Sequence, residues 1–65
     1  MILKFITFDV VNNTIEANWH RPLLDSEGVT VGYESALRIN YSADQKAEFL
    51  ADVEGGQTYS DAMGW

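Results

Sequence analysis

The residues that could carry chemistry in this chain are few, and Asp9 and Glu16 come first because they flank Asn12 and Asn13 symmetrically. Asn tolerates the positive φ that a two-residue hairpin turn requires, so the two asparagines are predicted to reverse the chain. The two carboxylates would then face each other across neighbouring strands, where they could hold a cation or share a proton. Two carboxylates alone are a thin ligand set, and we expect an ordinary, mildly repulsive hairpin pair.

The remaining chemical groups form no catalytic or metal-binding pattern. His20 is the only histidine, the chain has no cysteine, and nothing in the sequence links this histidine to a serine nucleophile. Asp25 and Glu27 stand close to Gly28 but lack the spacing of the oxygen ligands in a calcium loop. No glycine-rich phosphate-binding motif occurs. The sequence therefore predicts a protein that is not an enzyme, with no catalytic, cofactor-binding or metal-binding residues and no cofactor.

A chain of 65 residues is one domain at most, so 1–65 is predicted to be a single small domain. A chain of this size buries only about 60% of the surface that its unfolded form exposes, and many such folds recruit disulfides, a metal ion or a second subunit. The lack of cysteine excludes disulfides, and a single histidine disfavours a structural zinc site. We therefore expect a homo-oligomer or a module that docks on another protein.

The charge balance restricts the kinds of partner. Ten acidic residues against four basic ones give a net charge of −6, which opposes direct binding to nucleic acid or to an anionic membrane surface. The simplest interpretation is solubility, because net charge keeps small proteins dispersed. The alternative is a negative surface that imitates nucleic acid, with Asp44, Glu48 and Asp52 as candidate contacts because residues four apart lie along one helix edge.

The N-terminal run MILKFITFDVV is apolar but does not resemble a signal peptide. Lys4, Thr7 and Asp9 interrupt it, no basic segment precedes it, and no small-residue cleavage site follows. No run approaches the ~20 apolar residues that a membrane span requires. We therefore expect an intracellular protein without a membrane partner.

A hairpin is the first element that would position these residues. Strands are predicted over 2–10 and 14–21, and Asp9 is expected to face Glu16 across them. Side chains alternate between faces along a strand, so one face of the hairpin is apolar. Its members are Ile6, Phe8 and Val10 on the first strand, and Ile15, Ala17 and Trp19 on the second.

A third strand is predicted over 29–41, where apolar and polar residues alternate along the whole segment. Pro22 cannot donate to a strand ladder and therefore marks a strand end or an edge. Residues 25–28 are rich in turn formers, and Gly28 suits a positive φ. The apolar residues of the third strand are predicted to share one face, with a bend near Gly32. A three-stranded antiparallel β-meander follows.

A helix is predicted over 43–54. Ser42 followed three residues later by Gln45 is a capping-box pattern, and Gly55 supplies the left-handed residue that ends a helix. A helix of this length is marginal alone in water, so it must pack on one face of the sheet. The predicted fold class is therefore α+β, a three-stranded antiparallel β-meander with one C-terminal α-helix packed on one face.

The remaining segment, 56–65, either folds back onto the thin core or forms a flexible tail that docks on a partner or a sister subunit. Its aromatic and thioether side chains are candidate partner contacts. If the helix covers the face of Ile6 and Trp19, Leu3 and Phe5 remain on the other face as an exposed apolar patch, which is a candidate subunit contact. The candidate partner-binding residues are Leu3, Phe5, Tyr59, Met63 and Trp65.

Three runs, NNTIEANW, GVTV and YSADQKAEFLADV, together resemble short, acidic, uncharacterised proteins encoded among the genes of tailed bacteriophages. In those proteins a strand ending in a turn, a strand of the I-E-A-x-W kind and a helix of the S-A-x-Q-x-x-x-F-L-A-D kind follow in order. The resemblance implies a phage or prophage origin, a non-catalytic role, and a location in the cytoplasm of a bacterial host or on the virion. It implies no functional residues.

The predicted function is thus a small non-catalytic protein–protein interaction or structural module that self-associates and docks on a larger assembly such as a virion component. The alternative is an acidic inhibitor of a host nucleic-acid-processing enzyme, which it would bind as a nucleic-acid mimic.

Overall fold

A computed structural model describes all 65 residues and shows a three-stranded sheet followed by two short helices. The strands are β1 (Ile2–Asp9), β2 (Thr14–Leu24) and β3 (Thr30–Ser42); a 3₁₀ turn (Ala43–Gln45) leads to α1 (Lys46–Asp52) and α2 (Gly56–Ala62). β2 lies between β1 and β3, and both pairings are antiparallel. The α+β class and the three-stranded meander are confirmed. The single helix predicted over 43–54 is only partly matched.

The turn between β1 and β2 is longer than predicted. Asp9 faces Thr14, so residues 10–13 form the loop and the predicted register is wrong. The Asp9 carboxylate accepts hydrogen bonds from the Asn12 backbone N–H at 3.1 Å and from its side-chain amide at 2.8 Å, and only Asn13 has a positive φ, of 55°. From Phe5 to Asp9, each β1 residue faces a β2 residue two positions earlier than predicted. Because a shift by two preserves alternation, Ile6 and Phe8 keep their predicted face. Val10, predicted to share that face, lies in the loop and is 80% exposed.

The core lies between the helices and the apolar face of the sheet, which we call the helix side; the other face is the open side. Ile15, Ala17 and Tyr41 of the sheet are buried against Phe49 of α1 and Val53, which directly follows it. The rings of Tyr41 and Phe49 meet edge to face at 5.1 Å. Aromatic pairs of this geometry add about 0.5–1.5 kcal/mol to the burial of their area.

The break between the two helices has a local cause. Val53 is extended, with φ −115° and ψ 112°, and Gly55 has the positive φ of 75° that ends a helix and favours glycine. The predicted left-handed glycine is thus confirmed. A Cβ added to Gly56 would lie only 3.1 Å from the Phe49 ring, so the start of α2 can approach that ring closely. The tail predicted as either folded or free therefore contains a second helix.

Irregularities in the strand pairing move side chains between the two faces. In β1 the register shifts at Lys4, so Leu3 faces Trp19 and packs against the core whereas Phe5 stays on the open side. In β3 it shifts beside Leu37, and the residues before that point change face. The predicted common face for 29–41 is therefore wrong, because each extra residue reverses an alternation of period two.

The fold is elongated, with principal extents of 45 × 21 × 15 Å. Its radius of gyration is 14.0 Å, whereas a compact domain of this length has a value of roughly 11 Å. The helices cover only the end of the sheet near Ile15, and the β2–β3 hairpin extends beyond them. No helix of the chain has the length and apolar character needed to cross a membrane.

Candidate interaction surface

The most exposed part of the sheet is a two-stranded ribbon, residues 21–34, which we call the arm. The first residue of β1, Ile2, lies opposite His20. Beyond that point β2 pairs with β3 alone. Pro22 lies in the part of β2 that β1 does not cover. That side of the strand is an open edge, where a proline, which has no backbone N–H, is tolerated. The strand predicted to end at residue 21 therefore continues to Leu24.

The turn of the arm is held by one carboxylate. Oδ1 of Asp25 accepts hydrogen bonds from the backbone N–H of Glu27 at 2.8 Å and of Val29 at 2.9 Å. Gly28 has a φ of 80°, which favours glycine. The predicted turn over 25–28 is confirmed, and it fixes the two strands of the arm in one register.

The arm exposes an unusual amount of apolar surface. Every residue from 21 to 31 is exposed. Exposed apolar surface that is concentrated in one region marks interaction sites in soluble proteins. Five large hydrophobic side chains of the arm are between 41% and 66% exposed: Leu23, Leu24, Val29, Val31 and Tyr33.

On the helix side, an apolar groove lies between the helices and the arm. The groove has a volume of about 280 Å³, and Asp52 forms its one charged wall. Its apolar walls come from Met1, Trp19, Leu37 and Ile39. The next residues along the ribbon are Arg21 and Glu34, whose Nε and Oε1 lie 2.6 Å apart, followed by Leu23 facing Gly32.

On the open side, aromatic and basic side chains form a second, flatter patch beside the arm. The Phe5 and His20 rings meet edge to face at 5.4 Å, and the Lys4 ammonium lies 4.7 Å from the centre of the Tyr33 ring. Phe5 is 54% exposed, as the prediction of an apolar patch on this face requires. Leu3 does not join it, because the shift at Lys4 places that side chain against the core. The predicted pair of Leu3 and Phe5 on one face is therefore wrong.

The three predicted contacts in the tail all have partners within the chain. Tyr59, Met63 and Trp65 pack against the core, and the Trp65 ring meets Phe49 edge to face at 5.9 Å. The Trp65 indole N–H donates to Oδ1 of Asn13 at 2.9 Å. Of the two interpretations of the tail, folding back is the one observed. A role of these residues toward a second protein stays a prediction.

A polar cleft on the open side contains the carboxylates that first suggested chemistry. Its volume is about 390 Å³, against about 280 Å³ for the apolar groove. Asp9 and Glu16 do not face each other as predicted, because Glu16 faces Thr7 and forms an ion pair with Arg38 at 3.3 Å. The hydrogen bonds from Asn12 hold the pKa of Asp9 below its ordinary value. The lining residues are Thr7, Asp9, Asn12, Thr14, Glu16 and Asn40.

The geometry of the cleft gives Asp9 a structural task. A carboxylate that accepts both a backbone and a side-chain hydrogen bond from Asn12 fixes the four-residue loop between β1 and β2. The negative charge of Glu16 is balanced by its ion pair with Arg38 on the neighbouring strand. Each carboxylate thus has its own partner, and neither the cation-holding nor the proton-sharing role predicted as an alternative gains support from their placement.

The predicted acidic edge is exposed but is not one regular helix edge. Asp44 lies in the 3₁₀ turn, whereas Glu48 and Asp52 lie on α1. The Asp52 carboxylate accepts a hydrogen bond from the Tyr41 hydroxyl at 2.9 Å. Burial, this hydrogen bond and the negative charges of Asp52 and Glu48 raise the pKa of Tyr41 to about 12. The nucleic-acid-mimic role of this edge stays a prediction.

Comparisons with known proteins add no relative to this description. No family model, no curated protein and no solved structure matches the chain. The function therefore has to be argued from the surface itself.

Leu23 and Leu24 are the part of this surface that the sequence interpretation missed. Leu23 and Leu24 follow Pro22, and the strand was predicted to stop before that proline. A signal was present, since Leu23 and Leu24 precede the turn over 25–28, and Val29 and Val31 follow it. An edge position for Pro22, which the sequence left open, would have extended the strand through both leucines.

Proposed function

We propose that this protein is a small, non-catalytic protein–protein interaction module that self-associates through the uncovered half of its sheet. The observation that carries the proposal is the uneven distribution of apolar residues. Five hydrophobic residues are buried, whereas twelve large ones are exposed, and five of the twelve belong to the arm. A sheet with one apolar face needs a second layer, and the helices supply that layer at one end only.

The size of the surface supports the same proposal. The accessible surface is 4459 Å², and a compact monomer of this mass exposes roughly 4,200 Å². The excess is small, but the elongation places it in one region, the arm. A specific interface buries about 800 Å² on each partner, and a second copy is the partner that this concentration of apolar surface fits most simply.

The test is the molar mass in solution, measured by sedimentation equilibrium over a wide range of protein concentration. We expect a dimer that dissociates on dilution. The variant Leu23→Ser/Leu24→Ser changes one side chain on each face of the arm and is expected to weaken the dimer by about tenfold or more, because each leucine loses apolar burial.

The chain offers a matched control at its opposite end. Val10 and Val11 are adjacent, apolar and 80% and 93% exposed in the β1–β2 loop. The variant Val10→Ser/Val11→Ser should leave the dimer unchanged. A wild-type protein that stays monomeric at every concentration would refute self-association, and equal effects of the two double variants would refute the arm as its surface.

The resemblance to phage proteins supports one extension of this proposal, the docking of the module on a larger assembly such as a virion component. This extension depends on the resemblance alone. Capture of the assembly by the wild-type protein but not by the Leu23→Ser/Leu24→Ser variant would support the arm as the docking surface, and equal capture would oppose it.

A further inference from the structure

We infer that the second copy lies antiparallel across the helix side of the arm, so that Leu23 of each copy packs in the apolar groove of the other. The inference rests on the proposed self-association and adds the face, the orientation and the contacts. It follows from the order of side chains along the ribbon, from the position of the helices and from the charges between the groove and Leu23.

The order of side chains on the helix side is apolar, charged, apolar. Trp19 faces Leu37 at the groove, and the Arg21–Glu34 ion pair follows. Leu23 then faces Gly32, and a Cβ added to Gly32 would lie 3.9 Å from a methyl group of Leu23. The surface is therefore nearly symmetric about the ion pair, with a bulky apolar pair on one side and a leucine beside a glycine on the other.

The helices fix the orientation of the second copy. Stacked sheets lie about 10 Å apart, and a helix is itself about 10 Å thick, so α1 and α2 fill the layer that a second sheet would occupy. Two copies with their helices at the same end would collide. With the helices at opposite ends, each arm enters the free layer beside the helices of the other copy. A two-fold axis crossing the ribbon at the ion pair gives this arrangement.

The axis brings complementary shapes together. Residues equally distant from it on either side come face to face, so Leu23 lies over Trp19 of the second copy. Leu37 lies over Gly32 of the second copy, which has no side chain and leaves room for it. Leu23 and Leu37 are 41% and 40% exposed in the single chain, and both would be covered in the dimer. The same contacts occur twice because the interface is isologous.

The charges at the axis can also pair between the copies. Arg21 faces Arg21 of the second copy and Glu34 faces Glu34, so each arginine lies diagonally opposite the glutamate of the other copy. Their side chains are 61% and 44% exposed in the single chain, so both can turn toward the second copy. The diagonal pairs of opposite charge offset the facing pairs of like charge, whereas four like charges at the same place oppose dimerisation.

The experiment uses two variants, each of which reverses one charge of the ion pair. Arg21→Glu places only acidic groups at the axis, and Glu34→Arg places only basic groups there. Each variant alone is expected to weaken the dimer by about tenfold or more, whereas an equimolar mixture of the two should form a heterodimer as stable as the wild-type dimer. Native mass spectrometry resolves the two homodimers and the heterodimer, and circular dichroism establishes that each variant keeps the sheet.

Arg38→Glu is the matched control. Arg38 forms a comparable ion pair with Glu16 on the open side, 64% exposed, and its reversal changes the net charge by the same amount as Arg21→Glu. We expect this variant to dimerise like the wild type. A weakening equal to that of Arg21→Glu would overturn the inference, because the effect would then come from net charge or from the open side.

The remaining outcomes distinguish the inference from the proposal on which it rests. A wild-type monomer at all concentrations refutes both. A wild-type dimer whose single variants dimerise normally, or whose mixture gives no heterodimer, leaves self-association intact but overturns the antiparallel arrangement over the helix side.

Discussion

The two ends of the β2–β3 hairpin carry similar side chains and have opposite surroundings. At one end Ile15 and Tyr41 are buried beneath Phe49. At the other end Leu23 and Val31 are 41% and 66% exposed. Apolar residues on a strand therefore establish that a strand forms, but the length of the helices decides which part of the sheet is covered.

The lengths of the elements explain the difference. β3 has thirteen residues, which span about 43 Å at 3.3 Å per residue. α1 and α2 have seven residues each, and each therefore spans only about 10 Å at 1.5 Å per residue. Two such helices cannot cover the strand, so part of the sheet must be covered by something else or stay exposed.

The largest effect is expected from removing one phenyl ring, and it contrasts the two faces of the sheet. Phe49→Ala should lower the free energy of unfolding by about 3–5 kcal/mol, because the ring is fully buried and contacts Tyr41 and Trp65. For a domain this small such a loss removes most of the stability. Phe5→Ala, at a residue 54% exposed, should cost about 1 kcal/mol or less. Urea unfolding of both variants measures the difference, and equal losses would contradict a core confined to the helix side.

The next largest loss of stability is expected from breaking the hydrogen bond between the tail and the β1–β2 loop. Asn13→Ala should cost about 2 kcal/mol, since it removes the hydrogen bond from Trp65 and places alanine at a φ of 55°. Asn13→Gly keeps the backbone conformation available and should cost only about 1 kcal/mol. If thermal unfolding shows the glycine variant to be no more stable than the alanine variant, the conformational part of this explanation is wrong.

Because Tyr41 is buried, the free energy of unfolding should fall in alkaline solution. The pKa of Tyr41 is raised from 10.0 to about 12, so the unfolded chain ionises first. The folded protein keeps the full stability of the neutral Tyr41 side chain below pH 10. It loses part of that stability as the pH rises from 10 through about 12, because the unfolded chain is then stabilised by ionisation of the phenol. Tyr41→Phe should remove this part of the pH dependence and cost about 1 kcal/mol at neutral pH, because it also removes the hydrogen bond to Asp52.

Tyr33→Phe is the control for this experiment, since Tyr33 is 48% exposed on the open side of the arm. Its unfolding midpoint, followed from pH 8 to pH 12, should fall with pH as that of the wild type does. A Tyr41→Phe variant that loses stability just as steeply would show that burial of this phenol does not cause the alkaline loss.

The smallest effect is expected at Ser60. Its hydroxyl is fully buried in α2 and has no hydrogen-bond partner. Ser60→Ala removes an unpaired polar atom and improves helix propensity, so stability should stay the same or rise by about 0.5–1 kcal/mol. Ser35→Ala, which removes an exposed hydrogen bond to Asn18 at 3.1 Å, should cost at most about 0.5 kcal/mol. A clear loss at Ser60 would indicate a partner for the hydroxyl.

Much of the fold could be predicted from local patterns. The alternation around Ile15 and Ala17, the glycine at 55 and the pairing of Gln45 with Ser42, whose backbone N–H donates to the glutamine side chain at 3.0 Å, all follow from short-range chemistry. The turn was mispredicted because Asp9 stabilises a four-residue loop, and two asparagines favour a two-residue turn almost as well. The side chains of residues 5–9 were still assigned to the correct faces, because the register there differs from the prediction by an even number of residues.

The candidate surface was harder to predict because it depends on irregular pairing. The register shifts at Lys4 and beside Leu37 depend on how three strands twist together, which no single strand encodes. They moved Leu3 to the core and Tyr33 to the open side. The second helix was missed because Gly55 and Gly56 end one helix and, through the close approach of Gly56 to Phe49, also begin another.

The most direct test of the account is amide hydrogen exchange measured at low and high protein concentration. Residues 21–34 have no cover in the single chain, so their amides should exchange quickly in dilute solution and become protected as the concentration rises. The amides of Ile15 and Tyr41 lie under the helices and should be protected at both concentrations. Exchange in the arm that does not change with concentration would contradict the claim that a second copy covers the bare end of the sheet.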